Sequence, residues 1–369
     1  MGNANTISCD IYYRPSDKKY DENIRKFQGC PTLAVTPKGR IFLGWYSGGT
    51  REPHMENYNI LQYSDDQGQT WSKPLLVIES SKEKLIHALD IQLWTDENGY
   101  LHVFWVQNNT KLQPDVLPKV EKNQPLVCVD GYMFDDFTHS EWEMICKNPD
   151  DENPVFGKPR YMDKGFLRCK PLVLNNGRIL AFNYDQTEPR YGYSISDDNG
   201  NTFVHRYGAL KVSTMFDETM AYQMEDGKIR MLARSDIGEL IESYSTDNGE
   251  TWTDACASGI DSPNTRFYIS KIAPGTVLMV NNNHRFSRTN MSIYLSLDDG
   301  LTWKYKMLID DRDDISYPDV DFYEDHIYIT YDRERCGAKE ILFVTTSVRD
   351  LIENNKPEVR VVSKPRECD

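Results

Sequence analysis

Ser296-Leu297-Asp298-Asp299-Gly300-Leu301-Thr302-Trp303 decides how this chain is read, because its pattern occurs three more times. The other copies are Ser64-Asp65-Asp66-Gln67-Gly68-Gln69-Thr70-Trp71, Ser196-Asp197-Asp198-Asn199-Gly200-Asn201-Thr202-Phe203 and Ser245-Thr246-Asp247-Asn248-Gly249-Glu250-Thr251-Trp252. Their common form is S-x-D-x-G-x-T-[WF]. Each copy follows one strand-like run and precedes another, so each is expected to be a hairpin turn. The Asp carboxylate caps turn amides, the Gly takes a positive φ, and the aromatic packs back under the hairpin. Self-similarity of this kind points to a repeat architecture.

The serines that open the last three copies lie 49 and 51 residues apart. The interval from Ser64 to Ser196 leaves room for one more unit whose motif has decayed, around Met133–Trp142. A sixth unit fits after Trp303, with strand-like runs at Tyr317–Tyr323, His326–Tyr331 and Lys339–Thr346. Such units predict an all-β chain, a six-bladed β-propeller of four-stranded antiparallel blades, which leaves few exposed sheet edges. The expected blades are approximately 27–80, 85–145, 165–210, 215–258, 264–308 and 315–346, within a single domain over 1–369. The stretch around Ile7–Tyr13 is expected to add a strand to the last blade.

The net charge of −15 argues against nucleic acid or an anionic membrane as partner. No apolar run approaches the length of a membrane span. Aromatic residues make up 12% of the chain, with 22 tyrosines, which suits sheet faces and sugar-stacking surfaces. The N-terminal stretch MGNANTISCDIYYRPSDKKY has no apolar core of a secretory signal. Cys9, Cys30, Cys128, Cys146, Cys169, Cys256, Cys336 and Cys368 show no C-x-x-C pair and are spaced as buried small residues would be. A cytoplasmic, reducing location without a zinc site is the expectation, although an even count leaves disulfides open. No metal-ligand spacing or phosphate-binding glycine loop is present, so no cofactor is expected.

If the repeated turn joins the third and fourth strands of each unit, other strand ends gather on the opposite face. Those ends carry Glu52, His54 and Glu56 in the loop Ser47–Asn57, then Asp90, Lys170, Asp217-Glu218, Arg234, Arg266, Arg288 and Tyr317-Pro318-Asp319. Convergent polar groups in a concavity mark a site. Cys30 reads as packing, and Arg312, Arg333 and Arg335 read as a solvated face.

The turn motifs resemble the Asp-boxes of the sialidase (neuraminidase) superfamily, and the resemblance runs from about Phe27 to Thr346. The boxes themselves are structural. The resemblance implies that Tyr317, in Ile315-Ser316-Tyr317-Pro318-Asp319, is the nucleophile, and that Glu218, in Phe216-Asp217-Glu218-Thr219-Met220, takes its proton. It also implies that Arg234 and Arg288 are the second and third arms of a carboxylate-binding arginine triad. A neutral phenol attacks an anomeric carbon that bears a carboxylate with less repulsion than a carboxylate nucleophile would meet. Its pKa near 10 requires an adjacent base.

One feature departs from the family pattern. The first triad arginine belongs in the segment Phe27-Gln28-Gly29-Cys30-Pro31, and Gly29 stands in its register. Arg266 is the expected replacement, and Lys170, His54 and Asp319 are further candidates for substrate contact. For the general acid, which the family places as an Asp in the first unit, Glu56 is favoured here, with Glu52 next and Asp90 nearby. The expected function is an exo-acting retaining glycoside hydrolase on glycans ending in sialic acid or a related acidic sugar. The alternatives are a non-catalytic glycan-binding protein, or a glycosidase for another sugar because of Gly29.

Overall fold

The repeated motifs close their turns with side chains. In the computed structural model, which describes residues 4–116, 127–134, 139–214 and 216–365, Asp66 accepts from the Thr70 amide at 2.8 Å and the Thr70 hydroxyl at 2.6 Å. Ser64 Oγ donates to Asp66 at 2.7 Å and accepts from the Gly68 amide at 2.8 Å. The turns at Asp198, Asp247 and Asp298 repeat this arrangement. Gly68, Gly200, Gly249 and Gly300 have φ of 75, 77, 84 and 77°, a region that costs a side chain but not glycine. Trp303 packs on Tyr294 of its own hairpin, with ring centres 5.9 Å apart. Trp71 and Trp252 instead reach neighbouring sheets, against Phe343 at 5.4 Å and against Tyr193 at 5.8 Å.

The strands of the described residues form eight antiparallel sheets. The first has five strands in the order Asp10–Tyr13, Leu76–Glu79, Asn57–Ser64, Ile41–Gly48, Gln28–Val35. The next large sheet runs Arg160–Lys164, Ser140–Cys146, Leu101–Asn109, Ile86–Thr95. Short strands at Lys111–Leu112, Tyr132–Met133 and Cys128–Val129 make a three-stranded sheet, and Phe166–Leu167 pairs with Asn183–Tyr184 alone. Four-stranded sheets then begin with Leu172–Val173, Thr219–Gln223, Tyr268–Ala273 and Ile315–Tyr323.

This corrects the expectation of a six-bladed propeller of four-stranded blades. Among the described residues there are eight sheets of two to five strands, and none closes on itself. The turn motif specifies a hairpin, whereas strand number depends on what each sheet edge finds to pair with. Asp10–Tyr13 pairs with Leu76–Glu79 of the first sheet, not with the last one. The outer edge of the last sheet is already taken by Val359–Ser363. The decayed motif at Met133–Trp142 includes residues 135–138, which lie outside the described residues, as does Cys368. Of the other cysteines, all are free, and Cys256 and Cys336 are exposed rather than buried. Among the described residues, no helix is long and apolar enough to cross a membrane.

Three strands carry the feature that positions the site. Gln28–Val35, Ile86–Thr95 and Ile315–Tyr323 each lie at one end of their sheet's order. Each slips register against its neighbour, between Gly29 and Thr32, Leu89 and Gln92, and Ser316 and Asp319. At each slip a residue other than glycine has positive φ: Cys30 at 54°, Asp90 at 52° and Tyr317 at 57°. Bulges re-aim side chains, and a left-handed residue other than glycine costs roughly 1–2 kcal/mol that the surrounding packing must hold in place.

Candidate active site

Glu218 precedes the strand Thr219–Gln223, and Arg234 follows its partner Ile229–Ala233. Their backbones are paired, Arg234 N to Glu218 O at 3.0 Å, so the hairpin register alone sets the two side chains beside each other. Arg234 Nη1 donates to Glu218 Oε2 at 2.7 Å and to Tyr317 Oη at 2.9 Å. Tyr317 Oη in turn donates to Glu218 Oε1 at 2.8 Å. Acid, guanidinium and phenol therefore form a closed triangle, with all three residues buried.

The triangle lies in a cavity of 360 Å³. Arg288, Arg168 and Arg335 add three more guanidiniums to its lining, and Glu52 and Asp90 add two more carboxyls. Arg168 is paired with Asp90 at 2.7 Å. Arg288 donates to Asn264 O at 3.0 Å and to Ser316 Oγ at 3.4 Å, with no ion pair among the described residues. Leu89, Phe134, Phe166 and Tyr184 add apolar and aromatic surface to the lining. Phe216 stands half-exposed at the mouth, against the Arg234 guanidinium at 5.2 Å. A roomier groove of 910 Å³ beside the helix Val348–Glu353 brings together no tyrosine and no buried arginine.

Electrostatics separates the carboxyls. Burial works to raise Glu218, but the charge of Arg234, then that of Arg168, outweighs it and leaves Glu218 below the ordinary value. Burial pushes Glu52 up to about 7, helped by the negative charge of Asp90 and opposed by Arg335 and Arg168. Burial also raises Asp90, against the pull of Arg168. The Tyr317 phenol is raised by burial and by Glu218, with Arg234 pulling it down. Glu52, Asp90 and Cys30 bring ligand atoms within 4.8 Å of one another. Asp90 is already paired with Arg168, Glu52 is raised to about 7, and burial pushes the Cys30 thiol up to about 12, which leaves little anionic character for a cation to use.

Of the residues singled out from the sequence, Tyr317, Glu218, Arg234, Arg288, Glu52 and Asp90 meet in the cavity. The others do not. Glu56 is exposed and pairs with Lys82 at 3.0 Å. His54 is buried behind the loop, bonded to Asp130 at 2.7 Å and accepting from the Glu56 amide. Arg266 lies under the floor, where it donates to the carbonyls of Arg168, Pro31 and Tyr317. It braces the Tyr317 bulge and is no substitute for the arginine absent at position 29. Lys170 is tied to Val320 O and Asp321, and Asp319 to Thr32 and Leu33.

Arg168 and Arg335 were missed. Arg168 directly follows the short strand Phe166–Leu167, two residues before the position where a strand start was expected. Arg335 follows His326–Arg333, in a charged run that reads as solvent-facing; the structure turns it inward instead.

Residues 147–329 match the model of the BNR repeat-like domain, and residues 62–73 match the BNR/Asp-box repeat. An anhydrosialidase from Macrobdella decora is 25% identical over 154 residues, which are 37% of this chain and 20% of that protein. The chain thus matches only a fifth of the relative's length. Among solved structures, the NanB sialidase from Streptococcus pneumoniae superposes with a TM-score of 0.67 at 16% identity, covering 95% of this chain and 71% of that one. A protein of unknown function from Dyadobacter fermentans gives 0.66 at 18% identity, covering 90% and 95%. The two structures share the fold. The BNR repeats and the anhydrosialidase match, on a fold shared with these structures, support placing this chain in the sialidase superfamily.

Proposed function

We propose that the chain is a sialidase-type glycoside hydrolase that removes a terminal acidic sugar with retention of configuration. The observation that carries the reading is the contact of Tyr317 Oη with Glu218 at 2.8 Å, with Arg234 bonded to both. A buried tyrosine needs one partner to be satisfied. This one has an acceptor and a cation on the same oxygen, in a cavity open to a ligand.

In the first half-reaction the phenol oxygen bonds to the anomeric carbon as the bond to the leaving oxygen breaks. The phenol proton passes to Glu218. Glu218 is a weak base and Tyr317 a weak acid, so the transfer is uphill unless it accompanies the attack. Arg234, 2.9 Å from Oη, stabilises the negative charge that develops there. Glu52, whose carboxyl is raised to about 7 and so stays partly protonated near neutrality, gives its proton to the leaving oxygen. In the second half water attacks the same carbon, Glu52 takes a proton from it, the bond to Tyr317 breaks, and Glu218 returns the phenol proton. Arg234 and Arg288 hold the sugar carboxylate by charge-assisted bonds.

The test is to incubate wild type and Tyr317→Phe with aryl glycosides of sialic acids, uronic acids and neutral sugars. The expected outcome is release from the sialoside by wild type, lost in the variant. Release from a neutral glycoside alone, or full activity in the variant, would end the proposal.

A further inference from the structure

Gly29 stands where the resemblance calls for an arginine, and its surroundings give a reason for glycine. Its φ is not in the left-handed region, so the backbone does not require it. Space does. A Cβ on Gly29 would fall 2.7 Å from Arg335 Cγ, 2.8 Å from Arg335 Cδ and 2.8 Å from Asp332 Oδ2. Carbon atoms prefer separations near 3.5–4.0 Å, so any side chain at position 29 must displace the Arg335 stem.

That stem carries a guanidinium held firmly in place. Arg335 Nε donates to Asp332 Oδ2 at 2.9 Å, and Asp332 is fully buried. Asp332 is itself fixed by the Ser316 hydroxyl at 2.6 Å and the Cys30 amide at 2.7 Å. The guanidinium lies 4.2 Å from the centre of the Tyr317 ring, and Nη1 is 3.5 Å from Glu52. Arg335 Nη2 is buried with no hydrogen-bond partner among the described residues. A buried donor left unmade costs free energy, and an anionic oxygen of a ligand in the cavity would satisfy it. Ser316 also accepts from Arg288, so the two arginines rest on one Ser316–Asp332 support. Arg168, the other candidate, also has a buried Nη1 without a hydrogen-bond partner among the described residues, but that atom faces Asp90 at 2.7 Å, whereas the Arg335 ion pairs run through Nε and Nη1.

We propose that Arg335 is the third arm of the carboxylate clamp, and that glycine at 29 and arginine at 335 are two halves of one exchange. The cation has moved from the start of the first sheet to the segment after His326–Arg333 and enters the cavity across the space vacated at Gly29. This rests on the reading of the cavity as a site for an acidic sugar. Its consequence is a specificity: Arg335 selects for the carboxylate, not for the ring.

The test compares binding of 2,3-unsaturated sialic acid and its methyl ester by calorimetry, in wild type, Arg335→Ala, Arg335→Lys, Gly29→Arg and the double variant Gly29→Arg/Arg335→Gly. Arg335→Ala is expected to weaken the acid by roughly 10- to 100-fold, the range for hydrogen bonds to charged groups, and to leave the ester within about twofold. Arg335→Lys should fall between, because an ammonium keeps the charge but not the planar fork. Gly29→Arg alone should lose affinity through the collision, and the double variant should regain at least a part of it.

Equal weakening of acid and ester in both Arg335 variants overturns the proposal, as does a wild type that binds the two ligands alike. A double variant no better than Gly29→Arg also overturns it, provided thermal melts show both are folded. The outcomes separate from those of the hydrolase reading. Acid-selective binding that depends on Arg335, without sialoside turnover, leaves the clamp and removes the hydrolase. Turnover that needs Tyr317 while Arg335→Ala keeps the acid-to-ester ratio does the reverse.

Discussion

Glu218 and Glu52 share one cavity and are driven in opposite directions. Arg234 holds Glu218 down, whereas burial beside Asp90 drives Glu52 up to about 7. Two carboxyls pushed apart in this way divide into an ionised base and a protonated acid. With Glu218 required as the anion, kcat/KM falls as pH drops through its lowered pKa. With Glu52 required as the acid, kcat/KM falls as pH rises past about 7. Glu52→Gln is therefore expected to remove the alkaline limb and to slow glycosides of poor leaving groups by roughly 10²- to 10⁴-fold. A dinitrophenyl glycoside, whose leaving group needs no proton, should keep most of its first-step rate. An unchanged alkaline limb in the variant would assign the acid elsewhere. Tyr317, Glu218, Arg234 and Arg288 were legible because each sits at a strand end beside a recognisable motif. Choosing Glu52 over Glu56 was not, because the path of the loop Ser47–Asn57 decides which of two nearby glutamates turns inward. Arg335 was illegible for a different reason: its place in the cavity depends on the missing side chain of a residue about 300 positions away.

At the level of elements, the sequence specified hairpins well and sheets poorly. The four boxes turn as their residues require, since Asp, Gly and Thr act within eight positions of one another. The pairing of outer strands and the register slips at Cys30, Asp90 and Tyr317 depend on distant partners, and nothing local marks them. The boxes are stability elements, which makes them separable from chemistry. Asp247 accepts from the Thr251 amide at 2.9 Å and from its hydroxyl, and Asp247→Ala is expected to cost about 1–2 kcal/mol without changing kcat. Although burial opposes it at Asp247, the Thr251 bonds bring the carboxyl below its usual value. Hydrogen bonds from Thr70, Thr202 and Thr302 bring Asp66, Asp198 and Asp298 to about 2. A carboxylate lowered by folding stabilises the fold above its unfolded pKa, and the benefit is lost as pH falls through the folded one. The urea midpoint of Asp247→Ala should therefore lie below that of wild type at pH 6 and converge with it as pH falls through the lowered pKa of Asp247. A gap that persists at the acid end would mean the carboxylate was not the source.

On the scale of the whole molecule, one carboxylate joins the three strands whose bulges shape the cavity. Asp319 Oδ2 accepts from Thr32 Oγ1 at 2.6 Å, from the Leu33 amide at 3.0 Å and from Gln92 Nε2 at 3.3 Å. Thr32 and Leu33 belong to the first sheet, Gln92 to the next, and Asp319 to the last. Asp319 is also two residues from Tyr317, on the far side of the same register slip. The link that packs the first sheet against the last thus also fixes where the phenol points. Asp319→Ala removes the acceptor and strands buried donors from two other sheets, which at ~1–3 kcal/mol each is expected to cost about 3–5 kcal/mol of stability. Asp319→Asn, which keeps one oxygen for the Thr32 and Leu33 donors, should recover much of that. Because the bulge relaxes with it, Asp319→Ala should also lower kcat at temperatures where circular dichroism shows it folded. Glu52→Gln, by contrast, should lower kcat while raising the urea midpoint as pH climbs above the ordinary carboxyl range, because a carboxyl raised by folding costs stability there. If Asp319→Ala lost stability yet kept wild-type kcat in its folded range, the Tyr317 bulge would be held by its own strand and by Arg266, and the inter-sheet link would have no part in aiming the phenol.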